Sequence, residues 1–227
     1  MADDEEPANK MMKRNHVENA RLDDLPAEIL LKIFGSLKIN DLLRCGKVSN
    51  RIRSMAHHEI LWQKVNLKDK IPAGLIQFIL ENGCKYLRIG TSKVEGDLIP
   101  TQTFKLKHLD AWAVKPVKTL EVILSSCNLL EKLSLHYVHL SNSMISSIKQ
   151  NGRSLKQLNL TRCSIYPYDS GNQNHFFQHF IDKCDVLTEL NLEEVYCTND
   201  SIDYLVNNQL NNWYFPNTFQ PPSFPSE

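Results

Sequence analysis

The 227-residue chain lacks most of the features that would assign it quickly to a class. It has only 8 glycines and 10 prolines, which excludes collagen-like and generally low-complexity sequences. It carries no excess of charge, since 26 basic and 26 acidic side chains leave a formal net charge of +0. Nucleic acids and anionic membranes need a concentrated positive field, so neutrality argues against both as partners. No uninterrupted apolar run approaches a membrane span. The leader MADDEEPANKMMKRN has no apolar stretch of the kind a secretory signal needs. Cys45, Cys84, Cys127, Cys163, Cys184 and Cys197 are therefore expected as free thiols in a reducing compartment. The chain also has no glycine-rich phosphate loop, no G-x-S-x-G and no C-x-x-C. The expectation is a soluble intracellular protein with no catalytic residue and no cofactor.

Two histidine pairs invite a zinc reading, His136 with His139 and His175 with His179. The second has the i, i+4 spacing of two ligands on one helix. The nearest cysteine, Cys184, already holds a place in the repeat pattern described below. No metal is assigned.

What the chain has is leucine: 30 of them, against 9 phenylalanines, 7 tyrosines and 3 tryptophans. Residues 1–20 are polar, with an acidic and then a basic block, and read as a disordered leader. Residues 21–67 follow a helical period. Pro26 and Glu28 suit a first turn, and Ile29, Leu30, Ile33, Phe34 and Leu37 make one stripe. Asn40 or Asp41 is expected to cap a second short helix carrying Leu42, Leu43 and Val48. Ser49 or Asn50 is expected to cap a third, with Ile52, Met55 and Ala56. The segment closes on Glu59-Ile-Leu-Trp62, Val65 and Leu67. Three short helices bury little, so Leu25, Ile29, Leu30 and Phe34 offer a patch to a partner or to the rest of the chain.

From about residue 84 the leucines repeat. Leu130-Glu-Lys-Leu133-Ser-Leu135, Leu155-Lys-Gln-Leu158-Asn-Leu160 and Leu187-Thr-Glu-Leu190-Asn-Leu192 share one L-x-x-L-x-L template. Weaker copies are Leu106-Lys-His-Leu109-Asp-Ala111 and Cys84-Lys-Tyr-Leu87-Arg-Ile89. The central leucines 87, 109, 133, 158 and 190 are 22, 24, 25 and 32 residues apart. The first three steps sit in or near the leucine-rich-repeat range. The long last one holds a loop-like insertion, Tyr166–Asn174. Helical stretches follow the strands, with shared faces at Val117, Leu120 and Leu124 and at Met144, Ile145 and Ile148. Further faces fall at Phe176, Phe177, Phe180 and Ile181 and at Ile202, Leu205 and Val206. The fold expected is α/β. A three-helix domain over 21–67 precedes about five repeats over 68–210, the first two degenerate, with parallel strands on a concave face and helices outside. Residues 211–227 form an aromatic and proline-rich tail. Trp213, Tyr214, Phe215 and Phe219 there either fold over Leu192, Leu205 and Val206 as a cap or stay disordered.

Leu25-Pro-Ala-Glu-Ile-Leu-Leu-Lys-Ile-Phe34, with Leu42, Leu43, Val48 and Ile60-Leu-Trp62, resembles an F-box. Followed by cysteine-type repeats, it is similar to the F-box/leucine-rich-repeat substrate receptors of cullin–RING ubiquitin ligases. The wording of Ser125–Leu135 and Leu158–Cys163 is similar to that of the S-phase-kinase-associated branch. The resemblance implies a non-catalytic adaptor of nucleus and cytoplasm. Its F-box would dock on a Skp-type linker protein, and through it on the cullin–RING ligase, through Leu25, Pro26, Ile29, Leu30, Ile33, Phe34, Leu42, Leu43, Val48 and Trp62. Ile52 stands where the family often has tryptophan. The repeat pattern stops near Leu210, and no residue is assigned to the phosphorylated-substrate site of that branch.

Because side chains alternate along a strand, the residues between the leucines are the candidate substrate surface. They are His108, Asp110 and Trp112; Lys132, Ser134 and His136; Gln157, Asn159 and Thr161; Glu189, Asn191 and Glu193. The protein substrate itself is not identified by these residues. A plain repeat scaffold with no linker binding, and a linker-binding form without a complete substrate site, remain alternatives.

Overall fold

The computed structural model describes residues 21–165 and 184–195, together with the backbone of 212–214. The leader, the Tyr166–Asn174 insertion, His175, His179 and Cys197 lie outside the described residues, as do the apolar stretches at 176–181 and 202–206. The chain divides into two compact units, residues 1–56 and 57–227.

In the first unit a short 3-10 turn, Leu22–Asp24, precedes α1 (Ala27–Gly35), α2 (Ile39–Cys45) and α3 (Asn50–Ala56). Pro26 sits one residue ahead of α1, where its missing N–H is not needed. Ser49 is the cap of α3: its Oγ accepts the Ile52 N–H at 3.1 Å and donates to Asp23 Oδ1 at 2.9 Å. The expected cap of α2 falls elsewhere. Lys38 holds that position, while Asn40 and Asp41 lie within the first turn, and Asp41 pairs with Arg44 at 3.1 Å. The two arginines flanking buried Ile52 tie the chain together. Arg51 donates to the Leu25 carbonyl at 2.7 Å and Arg53 to that of Gly46 at 2.9 Å.

The second unit is mixed α/β. In chain order it contains β1 (Lys64–Pro72), α4 (Ala73–Glu81), β2 (Tyr86–Glu95), β3 (His108–Trp112), α5 (Lys118–Ser125) and β4 (Lys132–His136). Then come β5 (His139–Leu140), α6 (Asn142–Gln150), β6 (Gln157–Asn159), β7 (Ser164–Ile165), β8 (Glu189–Asn191) and β9 (Asn212–Tyr214). One sheet has the order β1-β2-β3-β4-β6-β8-β9, with every neighbouring pair parallel. Strands β5 and β7 make a separate parallel pair.

The register of the large sheet explains the leucine spacing. Val65, Leu87, Leu109, Leu133, Leu158, Leu190 and Trp213 lie opposite one another in succession. The six from Val65 to Leu190 are each 1–4% exposed. A second buried row, Leu67, Ile89, Ala111 and Leu135, runs beside it. Helices α4, α5 and α6 turn Ile76 and Ile79, Leu120 and Ile123, and Met144 and Ile148 into the core.

The ladder reaches past the template at both ends. The strand at Val65 and the helix α4 were not evident because neither carries L-x-x-L-x-L. At the far end the tail backbone pairs with β8, so 212–214 extends the sheet edge. Between β2 and β3 no helix forms; an irregular segment buries Leu98, Phe104 and Leu106 instead.

Two further devices join the repeats. Each of four strands is followed at the same place by a left-handed residue: Ala113 (φ 45°), Tyr137 (φ 56°), Arg162 (φ 56°) and Glu194 (φ 53°). All lie four positions after their central leucine, and none is glycine, so composition hid the turn. Three of their N–H groups continue the ladder: Ala113 donates to His136 O at 2.9 Å, Tyr137 to Thr161 O at 3.4 Å and Arg162 to Glu193 O at 2.8 Å. Asn151, 1% exposed, donates to the carbonyls of Cys127 and Ser147 at 3.0 Å and accepts the Leu130 N–H at 3.3 Å. It thereby ties the end of α6 to the turn before β4.

Truncating Leu133→Ala should lower stability by about 3–5 kcal/mol, the transfer and cavity cost of a fully buried leucine. Asn151→Ala strands a buried donor and acceptor and should cost about 2 kcal/mol. Urea midpoints read by circular dichroism check both. Losses below about 1 kcal/mol at both sites would contradict the ladder as the core.

Candidate interaction surfaces

The ten residues proposed for the linker contact divide by exposure. Ile29 (41%), Ile33 (39%) and Val48 (72%) are exposed apolar side chains. Pro26 is also exposed, while Leu25 and Leu43 are half-buried. By contrast Leu30, Phe34 and Leu42 are buried. Their side chains are structural and have no surface left for a partner. Trp62 needs the same correction. It is 1% exposed, belongs to the second unit and sets its ring edge-on against Phe78 of α4 at 5.0 Å.

In the second unit the register lays the non-leucine residues out in rows. One row is Lys64, Tyr86, His108, Lys132, Gln157 and Glu189; the next is Asn66, Arg88, Asp110, Ser134, Asn159 and Asn191. Trp112 and His136 stand opposite each other beyond them. Thirteen of these fourteen are exposed or half-buried; His136 is buried at 8%. Thr161 is half-buried and Glu193 exposed at the ends of their strands. The sequence reading had missed Lys64, Asn66, Tyr86 and Arg88. Tyr86 and Arg88 were within reach of it, since they flank Leu87 as Lys132 and Ser134 flank Leu133.

Asp110 organises the middle of this face. It pairs with Arg88 at 3.3 Å and accepts the Trp112 indole N–H at 2.8 Å. Trp112 in turn stacks on His136, with ring centroids 4.0 Å apart and planes 19° off parallel. Asn159 and Asn191 occupy the same register position and accept from the chain two residues on: Asn159 from the Thr161 N–H and hydroxyl, Asn191 from the Glu193 N–H. On the rim, Arg162 bonds Tyr137 and Glu194. At the strand starts, Glu131 takes hydrogen bonds from Lys107 at 2.6 Å and Lys156 at 3.0 Å, which hold its carboxyl at about 2.

Among the described residues five cysteines are free, and four of them are buried. Burial pushes the Cys84, Cys127 and Cys184 thiols up to about 12 and Cys163 to about 11. Cys163 donates to the Leu135 carbonyl at 3.2 Å, serving the turning backbone between repeats. Among the described residues no group of three or more metal-ligating side chains converges. His139 Nδ1 lies 2.8 Å from the Ser164 hydroxyl, while His136 is committed to the tryptophan stack. Nor is any described helix long and apolar enough to cross a membrane.

Residues 22–68 match the F-box-like family. The chain carries an F-box-like domain. A second similarity is to whole proteins. F-box/LRR-repeat protein 12 of Homo sapiens and of Mus musculus are each 26% identical to this chain over 151 residues. That alignment takes in 64% of this chain and 41% of each relative's length. Together the two findings support an F-box/leucine-rich-repeat protein. The F-box-like match ends at residue 68 and so includes Trp62 and the start of β1, which the compact second unit also claims.

His136 and His108 give the face a pH signature. Burial lowers both imidazoles below the usual value; around His136 the Asp110 and Glu193 carboxylates oppose this and Arg88 adds to it. The His136 Nδ1 is buried without a hydrogen-bond partner. The unfolded chain, with histidines near about 6.5, therefore binds more protons than the folded one below that pH. Their contribution to stability is complete above about 6.5 and is lost as pH falls through the folded values. His136→Phe should flatten the slope of stability between about pH 6.5 and 5. Chemical denaturation across that range, with NMR titration of the imidazole, checks it. An unchanged slope with His136 titrating at or above the usual value would contradict the burial argument.

Proposed function

We propose that the chain is the substrate-recognition subunit of an SCF-type ubiquitin ligase. The F-box-like domain at residues 22–68 carries this reading, because such domains generally bind Skp-type linkers. Ile29, Ile33 and Val48 are its exposed apolar anchors, supported at the edge by Leu25, Pro26 and Leu43. The leucine-ladder unit is a leucine-rich-repeat solenoid, and its open polar face, from Lys64 to Glu193, receives the protein to be ubiquitinated for proteasomal degradation. The chain itself performs no chemistry: the linker and cullin bring a ubiquitin-charged enzyme to a substrate held on the sheet. Nucleus and cytoplasm are the compartments proposed. The in-register sheet supports the solenoid, and the separate exposed surfaces support two partners.

Substituting Ile29→Asp together with Ile33→Asp tests the linker contact without entering the core. Losing two half-exposed isoleucines should weaken capture by a Skp-type linker by about 2 kcal/mol or more, roughly thirty-fold. Pull-down and calorimetry with the purified linker read it. Equal binding by wild type and variant would contradict the proposal and favour a repeat scaffold without ligase function.

A further inference from the structure

The open face is electrically uneven. Across β1 to β4 it forms a hollow of about 520 Å³ whose floor includes Lys64, Tyr86, Arg88, His108, Asp110 and Lys132. Three of these are permanent cations and one is an anion, which leaves an excess of two positive charges. The single anion is already committed, since Asp110 is held by Arg88 and by the Trp112 indole. Lys64 and Lys132 have no ion pair among the described residues. The neighbouring edge adds Lys107 and Lys156 around one carboxylate, Glu131, which leaves a further positive charge. At the other end the sign reverses, with Glu189 and Glu193 exposed and Arg162 answered by Glu194.

We infer that the hollow over β1 to β4 is the seat of an acidic, extended segment of the protein substrate. This rests on the reading that the face receives substrate, and it names the chemistry recognised. The register sets the spacing. Lys64, Tyr86, His108 and Lys132 are successive neighbours in one row, so the two lysines stand three strand spacings apart, about 14 Å. An extended segment crossing the strands covers that distance in about four residues. Carboxylates four positions apart therefore reach both lysines. The side chains between them lie on Tyr86, 41% exposed, and His108, whose rings meet at 4.3 Å. A nucleic acid strand fits poorly, because a phosphate run continued along the face meets Glu189 and Glu193. The unequal halves also give the segment a direction, its acidic part over β1 to β4.

The test uses the full chain, with and without a Skp-type linker, and a fluorescein-labelled peptide repeating Glu-Ser-Gly-Ser, which places an acid at every fourth residue. The counterpart repeats Lys-Ser-Gly-Ser. Fluorescence anisotropy should show binding of the acidic peptide alone, weakening as salt is raised. Lys64→Glu with Lys132→Glu should weaken it about ten-fold, while Glu189→Gln with Glu193→Gln should leave it intact or tighten it. Both pairs are surface positions, and an unchanged circular dichroism spectrum confirms folding. Equal binding of the two peptides, or indifference to the lysine reversal, would overturn the inference. So would tighter binding of a single-stranded oligonucleotide, or self-association of the chain that the lysine reversal abolishes. Linker capture is measured in parallel. Its loss in the wild type would defeat the ligase reading, while the peptide result stands or falls by itself.

Discussion

Everything in the second unit depends on one constraint, that a buried apolar side chain faces its counterpart on the next strand. Side chains alternate with period two, so a slip of one residue would turn the ladder from Val65 to Leu190 out to solvent and bury Lys132, Asp110 and Glu189. The register is therefore strongly set, and the polar rows on the open face follow from it without contacts of their own. The left-handed residues at 113, 137, 162 and 194 follow as well. Each chain must leave the sheet at the same height for the next leucine to arrive in phase. Backbone strain at the first three is tolerated because the N–H still finds a carbonyl on the next strand's end.

The same economy governs the helical unit. Seven- and nine-residue helices have little interior to share, so each apolar side chain either enters a crowded core or stays outside. Leu30 and Phe34, one turn apart on α1, go inside, while Ile29 and Ile33, one position earlier on the same helix, remain in water. An offset of one residue is about 100° around a helix, enough to separate a structural leucine from an apolar surface. That surface is the one proposed for the linker contact.

Much of this was legible beforehand. The template placed Leu87, Leu109, Leu133, Leu158 and Leu190 at equivalent positions, and they are neighbours in the sheet. Ser49 capped its helix as its side chain suggested. The failures have physical causes. Val65 and Trp213 hold ladder positions, but a strand at the sheet edge needs only a suitable backbone, and no leucine template marked them. Pattern reading pooled Leu30, Phe34, Leu42 and Trp62 with the exposed residues because apolar character is the same on either side of a surface. Asn151 and the Asp110–Trp112–His136 group went unrecognised because their value lies in hydrogen bonds and stacking across turns and repeats, more than twenty residues apart in the first case.

The proposed function divides the labour between two surfaces, one for the ligase and another for the substrate. Hydrogen–deuterium exchange of the full chain, with and without a Skp-type linker, tests it directly. New protection is expected within residues 25–48, around Ile29, Ile33 and Val48, with exchange in β3, β4 and β6 unaltered. Protection appearing instead along those strands, or nowhere in the chain at saturating linker, would contradict it.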